Sequence, residues 1–180
     1  LVMEQRQRED MLYKFSNGSA NILVATDLAS RGLDIPDIQN IIHYHLPESE
    51  DGYIHRVGRT ARWDASGRTF FILNSEESIP EYVEGDIVEY TATESQYTVP
   101  ALPRMATIYI GKGKKDKISK GDIVGFLCKK GGLTSDEIGR IDVKDRYTYA
   151  AVKREKRQQL LRQTQGEKIK GVKTILEPVK

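Results

Sequence analysis

The sequence predicts an α/β protein of two domains, a parallel-sheet layer followed by a βαββαβ unit. In the first half, short apolar runs that fit buried strands alternate with helical segments, which is typical of a parallel sheet. In the second half the order of signals is strand, helix, strand, strand, helix, strand. Charge separates the halves: residues 1–103 hold 8 Lys and Arg against 17 Asp and Glu, and residues 104–180 hold 20 against 9. We therefore predict domains at 1–90 and 104–180, joined by a linker at 91–103.

The first domain is predicted from apolar periodicity and turn residues. Met3 to Phe15 predicts a helix with Leu12 and Phe15 on its apolar face, ended by Asn17-Gly18. A last helix and sheet edge are expected before about Tyr90. The other predicted elements are strands at Ile22–Ala25, Asn40–Tyr44 and Thr69–Leu73, and a helix within Glu48–Arg62.

The second domain has clearer boundaries. Ser119 is a helix N-cap candidate with Asp122 three residues on, and Gly131-Gly132 is expected to end that helix. Its apolar face combines Ile123, Val124, Phe126 and Leu127. The other predicted elements are strands at Ala106–Ile110, Ile138–Val143, Tyr147–Val152 and Val172–Leu176, and a helix at Glu155–Thr164.

The basic second domain is suited to a polyanion, most often a nucleic acid. A surface that is charged only for solubility is the alternative. The loop Gly111–Lys117 concentrates lysines, and each phosphate contact there would make binding more sensitive to salt. Candidate phosphate contacts are Lys112, Lys114, Lys115 and Lys117, and Arg146 is a further candidate for RNA binding.

Aromatic residues of the second domain are candidates for contact with bases. Tyr109 belongs to the first predicted strand, and Tyr147 and Tyr149 belong to the third, where RNA-binding sheets of this topology stack bases. Alternation places Tyr147 and Tyr149 on one face of the sheet. That face could equally be core, so stacking and packing both remain open at this stage.

Two segments of the first half have the composition of a nucleotide site. Ala25–Pro36 follows an apolar run and becomes polar, which is typical of the end of a strand that continues into a loop. Open parallel sheets have their binding sites in such loops. His55–Arg62 contains three arginines, and Arg59 and Arg62 are three apart, so one helical turn points both the same way. Guanidiniums suit phosphate oxygens. A solvated basic turn is the alternative, which the acidic surroundings disfavour.

These segments resemble a known family. Val24–Asp34 resembles motif V of DEAD-box RNA helicases, His55–Arg62 resembles motif VI, and Gln5–Arg8 resembles the Gln-x-x-Arg motif of the same second helicase domain. Their order and gaps match, over roughly the first seventy-five residues. The resemblance implies part of a RecA-like domain, and ATP with Mg²⁺ held mainly by a first domain that this chain lacks.

The second half resembles the RNA-binding domain of DbpA-type bacterial helicases, an RRM-like fold. The matching segments are Ala106–Lys115, Lys120–Gly125, Ile138–Ile141 and Gly166–Gly171. Arg146 and Thr148 depart from the small residues of the usual third-strand signature of an RRM. The resemblance implies docking on a hairpin of the large-subunit ribosomal RNA and a role in ribosome assembly.

The resemblance also assigns roles to residues. It implies that Arg59 and Arg62 are arginine fingers that reach the γ-phosphate of ATP, and that Asp34 contacts the ribose. Such groups stabilise charge that develops during phosphoryl transfer. Roles in gripping the RNA backbone are implied for Gln5, Arg8, Thr26 and Gly32, in coupling the two sites for Arg31 and His55, and in structure for Arg56 and Asp27.

No Gly-x-x-x-x-Gly-Lys-Ser/Thr loop and no Asp-Glu-Ala-Asp run occurs in the sequence,. We therefore predict an ATP-dependent RNA helicase of which this chain is the C-terminal portion, inactive as an ATPase alone. The alternatives are a non-enzymatic RNA-tethering module and a nucleic-acid translocase of the wider helicase superfamily. The start at Leu1-Val2 without an upstream strand indicates a fragment. The single cysteine, Cys128, favours a reducing cytoplasm, and the lack of a long apolar run argues against a membrane span. We also predict a monomer.

Overall fold

The structure is a computed structural model that describes residues 4–27, 38–58, 67–91 and 99–179. It divides into two compact units. One unit spans Val24–Val99, and the other combines Leu1–Leu23 with Pro100–Lys180. In this grouping the first helix lies with the C-terminal residues. The limits 1–90 and 104–180 stay a prediction.

The described elements follow one another in the predicted order for most of the chain. The helices are α1 (Gln5–Ser16), α2 (Glu50–Val57), α3 (Lys120–Lys129) and α4 (Arg157–Gln163), with 3₁₀ turns at Lys114–Asp116, Ser135–Glu137 and Arg154–Lys156. The strands are β1 (Asn40–His43), β2 (Arg68–Phe71), β3 (Met105–Ile110), β4 (Ile138–Val143), β5 (Thr148–Lys153), β6 (Lys168–Ile169), β7 (Val172–Lys173) and β8 (Leu176–Pro178).

In the unit Val24–Val99, β1 and β2 form a parallel pair in which Ile42 lies opposite Phe70. Both of these side chains are exposed, and the other face of the pair carries the buried His43. α2 begins at its N-cap Ser49, whose hydroxyl accepts a hydrogen bond from the amide of Gly52 at 3.2 Å,. Parallel pairing of β1 with β2 around a helix confirms the α/β, RecA-like class predicted for this part.

In the other unit, β3, β4, β5 and β8 form an antiparallel sheet in the order β4-β5-β3-β8. The first and third strands of the βαββαβ series are therefore central, which confirms the predicted RRM-like topology. β6 and β7 form a separate hairpin just before β8. Among the described strands, β8 pairs only with β3 and β4 only with β5, so these two strands are the edges of the sheet.

The core of this unit lies between the sheet and the helices α3 and α4. Alternation on β3 sends Ile108 and Ile110 into this core, and Ala150 and Val152 follow the same rule on β5,. α3 has the predicted N-cap, because the Ser119 amide donates to the Asp122 carboxylate at 2.8 Å and the Ser119 hydroxyl accepts from the Asp122 amide at 3.3 Å,. The predicted apolar face of α3 is confirmed, with Ile123, Phe126 and Leu127 buried.

α1 covers the opposite face of this sheet. Its one buried residue is Tyr13, whereas Leu12 and Phe15 are only half-buried. The predicted helix is confirmed, but the residue that it buries most deeply against the sheet is Tyr13, which the apolar pattern did not single out. The backbone extends the contact, since the amide of Met105 donates to the carbonyl of Gly18 at 3.3 Å.

Three further predictions fail in the described residues. Ile22–Ala25 is irregular and not a strand; Ile22 and Val24 are exposed, and no strand pairs with them there. Residues 72–91 contain turns and no helix. The predicted final strand is split into β7 and β8, because Thr174 and Ile175 interrupt it.

No helix among the residues that the structure describes has the length and apolar character needed to cross a membrane.

Candidate nucleic-acid interface

Two basic loops meet at one end of the four-stranded sheet. The loop after β3 runs alongside the turn between β4 and β5: the amide of Lys114 donates to the carbonyl of Lys144 at 2.8 Å, and the amide of Lys115 donates to the carbonyl of Asp145 at 2.8 Å. The Thr148 hydroxyl adds a bond of 2.9 Å to the carbonyl of Lys112. These backbone contacts hold lysines from two segments on one surface.

Gly113 explains how closely the loops approach. A Cβ at this position would lie 2.3 Å from the carbonyl oxygen of Lys144 and 2.7 Å from the amide of Tyr147. Both atoms belong to the backbone and cannot swing away. Only glycine therefore fits between the loops, as in other close approaches of two chains.

The β6–β7 hairpin brings a third basic segment to the same surface. The ammonium of Lys170 donates to the carbonyl of Lys117 at 3.1 Å and to the carboxylate of Asp122 at 3.3 Å. Lys170 and Lys117 both have left-handed backbones, with φ of 50° and 59°. We call this surface the lysine edge; its members are Lys112, Lys114, Lys115, Lys117, Lys144, Arg146 and Lys170.

The charges of the lysine edge differ in how far they are neutralised. Lys112 pairs with Asp116 at 3.1 Å, and Lys144 pairs with Asp142 at 2.9 Å. Backbone and lysine hydrogen bonds lower the pKa of Asp116, so this partner remains charged. Across the described ranges, the side chains of Lys114, Lys115, Lys117 and Arg146 form no ion pair and are exposed. Exposed ammonium and guanidinium groups of this kind are available to phosphates.

An aromatic cluster adjoins the lysine edge on the face that α1 covers. Tyr109 and Tyr147 stack with ring centroids 5.6 Å apart, and Tyr149 meets them edge-on at 6.0 and 5.1 Å. Tyr109 and Tyr149 are register partners on β3 and β5. The alternation that predicted one shared face for Tyr147 and Tyr149 is consistent with these ring contacts.

Tyr149 is not accessible in this arrangement. Only 3% of it is exposed, its ring lies 4.8 Å from that of Tyr13, and its hydroxyl donates to the Asp10 carboxylate. Burial, and then the bond to Asp10, raise the pKa of Tyr149, which therefore remains a protonated donor,. Tyr109 and Tyr147 are half-buried. The sequence left open whether Tyr149 stacks on a base or packs inside the protein. In this structure its side chain is packed inside the protein.

The predicted helicase residues are placed only in part. Gln5 and Arg8 are exposed on α1, where the Gln5 amide donates to Glu9 at 3.0 Å. Thr26 is exposed in irregular chain of the other unit, and His55 is exposed on α2. The predicted residues that lie outside the described residues are Arg31, Gly32, Asp34, Arg59 and Arg62.

Arg56 and Asp27, predicted to be structural, form a bidentate ion pair with both distances 2.6 Å. Arg56 also donates to the carbonyl of His45 at 2.9 Å and lies 3.1 Å from Nδ1 of His43. Burial first, and then the Arg56 charge, lower the pKa of His43 to about 4. Nε2 of His43 is buried without a partner among the described residues. The described ranges contain no cluster of His, Cys, Asp and Glu that could hold a metal ion.

Sequence reasoning missed two members of the lysine edge, Lys144 and Lys170. Lys144 opens the polar turn between two predicted strands, and that position was the available signal. Lys170 lies in the segment Gly166–Gly171 that resembles the DbpA-type domain, but its position beside Lys117 depends on how the β6–β7 hairpin folds back.

Two family comparisons match separate parts of this chain. The helicase conserved C-terminal domain matches residues 2–64, and the DbpA RNA binding domain matches residues 107–178. The ATP-dependent RNA helicase DbpA of Escherichia coli (strain K12) is 38% identical over 176 residues, covering 94% of this chain and 38% of the relative. The chain therefore contains sequence similar to both of these domains, and over most of its length it is similar to DbpA-type DEAD-box RNA helicases.

Other proteins are also similar to parts of this chain. The DbpA helicase of Bacillus subtilis (strain 168) is 29% identical and covers 94% of this chain and 41% of its own length. The chain thus spans about two fifths of the length of these two DbpA relatives. A crystal structure of the E. coli DEAD-box protein SrmB bound to regulator of ribonuclease activity A shares 42% identity, covering 38% of this chain and 41% of that one, with a TM-score of 0.36.

Proposed function

We propose that this chain is the C-terminal portion of an ATP-dependent RNA helicase that docks on a hairpin of large-subunit ribosomal RNA and remodels RNA during assembly of that subunit. The observation that carries the proposal is the lysine edge: three segments of the DbpA RNA-binding domain converge on one basic surface. We retain the limits 1–90 for the helicase segment, 91–103 for the linker and 104–180 for the RNA-binding domain.

The lysine edge supports binding to the phosphates of a folded RNA. Lys114, Lys115 and Lys117 are exposed within one short loop, and Arg146 is exposed on the turn beside it. Their backbones are held by hydrogen bonds while their charged groups remain in solvent, so a strand of phosphates can approach without breaking an ion pair. Such contacts position a nucleic acid and read no sequence directly.

Recognition of a hairpin requires groups that contact bases. Tyr109 and Tyr147 are the available candidates, because their rings stack beside the lysine edge and remain half-exposed. Unpaired bases of RNA loops commonly stack on tyrosine in proteins that bind single strands. A loop docked by its phosphates on the lysine edge would present its bases towards these two rings.

The helicase segment would contribute the second half of a nucleotide site. ATP with Mg²⁺ would supply phosphoryl transfer, most of its contacts coming from a first helicase domain. Arg59 and Arg62 would contact the γ-phosphate and Asp34 the ribose, by their match to the family motifs. Gln5, Arg8, Thr26 and Gly32 would contact the RNA backbone. One contact in the described part of this segment supports the proposal. The ion pair between Arg56 and Asp27 joins the segment that resembles motif VI to the segment that resembles motif V.

Binding titrations with this chain test the RNA assignment. The probes are a large-subunit ribosomal RNA hairpin, the same sequence as DNA, and an unrelated RNA hairpin of equal length. We expect the ribosomal hairpin to bind most tightly and K114A/K115A to weaken it about tenfold or more. The matched control K129A/R162A removes the same charge from exposed positions on α3 and α4 and should leave the affinity within about twofold. Equal affinity for the three probes would contradict specific docking on ribosomal RNA.

Steady-state ATP hydrolysis tests the enzymatic assignment. We expect this chain to show no RNA-stimulated hydrolysis, because it lacks a phosphate-binding loop. A chain that adds the first helicase domain should hydrolyse ATP when the hairpin is present, and R59K or R62K in that longer chain should reduce kcat by orders of magnitude. Unchanged kcat would contradict the arginine-finger role, and a longer chain without RNA-stimulated hydrolysis would favour the tethering module.

A further inference from the structure

α1 presents one continuous stripe to the aromatic face of the sheet. Its members are Arg6, Asp10, Tyr13 and Asn17, which recur at intervals of four, three and four and so share one side of the helix. Gln5 and Arg8 lie outside this stripe and are exposed, as is Arg6 at the start of the stripe. The stripe is therefore a contact surface distinct from the residues matched to the helicase motif.

Each member of the stripe contacts a sheet residue. The Arg6 guanidinium lies 5.7 Å from the ring centroid of Tyr109. Asp10 accepts the hydroxyl of Tyr149, and the Tyr13 hydroxyl donates to the carbonyls of Arg140 and Tyr149 at 3.2 Å. The Asn17 amide donates to the hydroxyl of Thr107 at 2.9 Å, and that hydroxyl donates to Ser19 at 2.9 Å. The helix is thus held along its length by specific polar contacts.

These contacts occupy the positions that a bound RNA would need. Arg6 lies against Tyr109 where a base would stack, because a planar cation and a base use the same aromatic face. After burial, the Glu9 and Asp10 carboxylates of α1 raise the pKa of Tyr147, whereas Lys144 and Arg6 lower it, so α1 brings carboxylates as well as one guanidinium near this ring. Arg6 therefore takes the place over Tyr109 that a stacked base would take, and Glu9 and Asp10 bring negative charge near Tyr147, as RNA phosphates would.

α1 buries few of its own residues against the sheet. A groove of about 390 Å³ runs between α1 and the sheet, lined by Arg6, Asp10, Tyr109, Tyr149 and Glu177 among others. Tyr13 is the only residue of the 12-residue helix that is buried. A helix of this length is marginal by itself in water, so its stability and its docking depend on each other.

We propose that α1 competes with RNA for the aromatic face of the sheet, so that bases reach Tyr149 only after α1 has left it. The proposal rests on RNA binding by this domain, as proposed above. Either α1 or an RNA loop can then lie on this face of the sheet, but the two cannot be bound there at the same time. Because α1 carries Gln5 and Arg8, binding of RNA to the sheet would also release the helix that contacts RNA in the helicase cycle.

Affinity for the ribosomal RNA hairpin tests the competition in the full 180-residue chain. Tyr13→Ala removes the ring that covers Tyr149, and Leu12→Ala is the matched control on the neighbouring side of the same helix. We expect Y13A to bind the hairpin several-fold more tightly and L12A to match the wild type. Unchanged or weaker binding by Y13A would overturn the proposal.

Tyr149 variants keep the test informative if Y13A perturbs folding. Tyr149→Phe removes the bond to Asp10 but retains a ring for stacking, so it should tighten RNA binding. Tyr149→Ala removes both, and it should bind more weakly than Y149F. Equal affinities of the wild type, Y149F and Y149A would overturn a role of this face in RNA binding.

Amide hydrogen exchange of the wild-type chain gives a direct readout. Addition of the hairpin at saturation should speed exchange in peptides from residues 5–16, because α1 leaves the sheet. Unchanged or slower exchange there, with RNA bound, would contradict competition while leaving the lysine edge as the RNA site. If no variant and no wild-type chain binds the hairpin, it is the proposed function that fails.

Discussion

Arg56 and Asp27 form a two-point ion pair in which Nε donates to Oδ1 and Nη2 donates to Oδ2, both at 2.6 Å. The two residues are 29 positions apart and belong to the segments that resemble motifs VI and V. A planar guanidinium fixes the orientation of a carboxylate in a way that an ammonium cannot. The pair therefore sets the position of α2 relative to the chain around Asp27.

The first prediction concerns this pair. Arg56→Lys should destabilise the unit Val24–Val99 by about 1–2 kcal/mol, because the second bond to Asp27 and the bond to the carbonyl of His45 are lost. The side chain of Asp27 is 61% exposed, so Asp27→Asn should cost less, about 0.5 kcal/mol after screening by solvent. Hydrogen exchange of residues 38–58 would report both effects. Equal costs for the two variants would contradict this account.

The second prediction concerns pH. His43 is buried, stacks on Phe71 at 4.6 Å, and faces the Arg56 guanidinium on one side, with Asp27 beyond. Its pKa is about 4 when folded and about 6.5 when unfolded, so the unfolded state binds the proton first. Stability of this unit should therefore be complete above about pH 6.5 and fall by roughly 2–3 kcal/mol between pH 6.5 and 4.

The variant His43→Phe isolates this contribution. Phenylalanine keeps a ring to stack on Phe71 but cannot be protonated, so the decline between pH 6.5 and 4 should become shallower. His45→Phe is the control, since His45 lies two positions away and is exposed. Amide hydrogen exchange of residues 38–58, measured between pH 6.5 and 4, would show whether His43 causes the decline in stability. A decline in H43F as steep as that of the wild type would show that other groups cause it.

The third prediction compares two glycines of the RNA-binding domain. Gly113→Ala should cost about 1–3 kcal/mol, because its Cβ would meet backbone atoms of Lys144 and Tyr147. Gly125→Ala should instead stabilise by about 0.5–1 kcal/mol, because Gly125 lies inside α3 with open space around it,. Urea unfolding followed by circular dichroism measures both. Destabilisation by G125A, or neutrality of G113A, would refute the packing described for that position.

The fourth prediction concerns salt. Each phosphate that an RNA contact neutralises should contribute about 0.7–0.9 to the slope of log affinity against log salt concentration. K114A/K115A should therefore reduce that slope by about 1.5, whereas K129A/R162A should not change it. Titration of the ribosomal RNA hairpin at several salt concentrations supplies the slopes. Identical slopes for wild type and K114A/K115A would place the phosphates elsewhere on the domain.

The RNA-binding domain was predictable in detail because its signals are local. Ser119 and Asp122, which cap α3, are only three positions apart. The alternation of side chains on β3 places Ile108 on one face of the sheet and Tyr109 on the other. The helicase segment was less predictable, because its strands depend on partners far along the chain. Ile22–Ala25 has the composition of a strand, yet it is irregular in the structure and Val24 is 94% exposed.

The sequence by itself determined the resemblance to DbpA-type helicases, the βαββαβ order, and the presence of lysines and tyrosines suited to RNA, since these depend on residue type and short spacing. Tertiary structure decided which of them are available. Lys144 and Lys170 join the loop lysines because three segments come together in the folded domain. Tyr149 is buried because α1 packs against β5. Contacts between residues more than one hundred positions apart, such as Tyr13 with Tyr149, are fixed by the folded backbone and leave no periodicity in the chain.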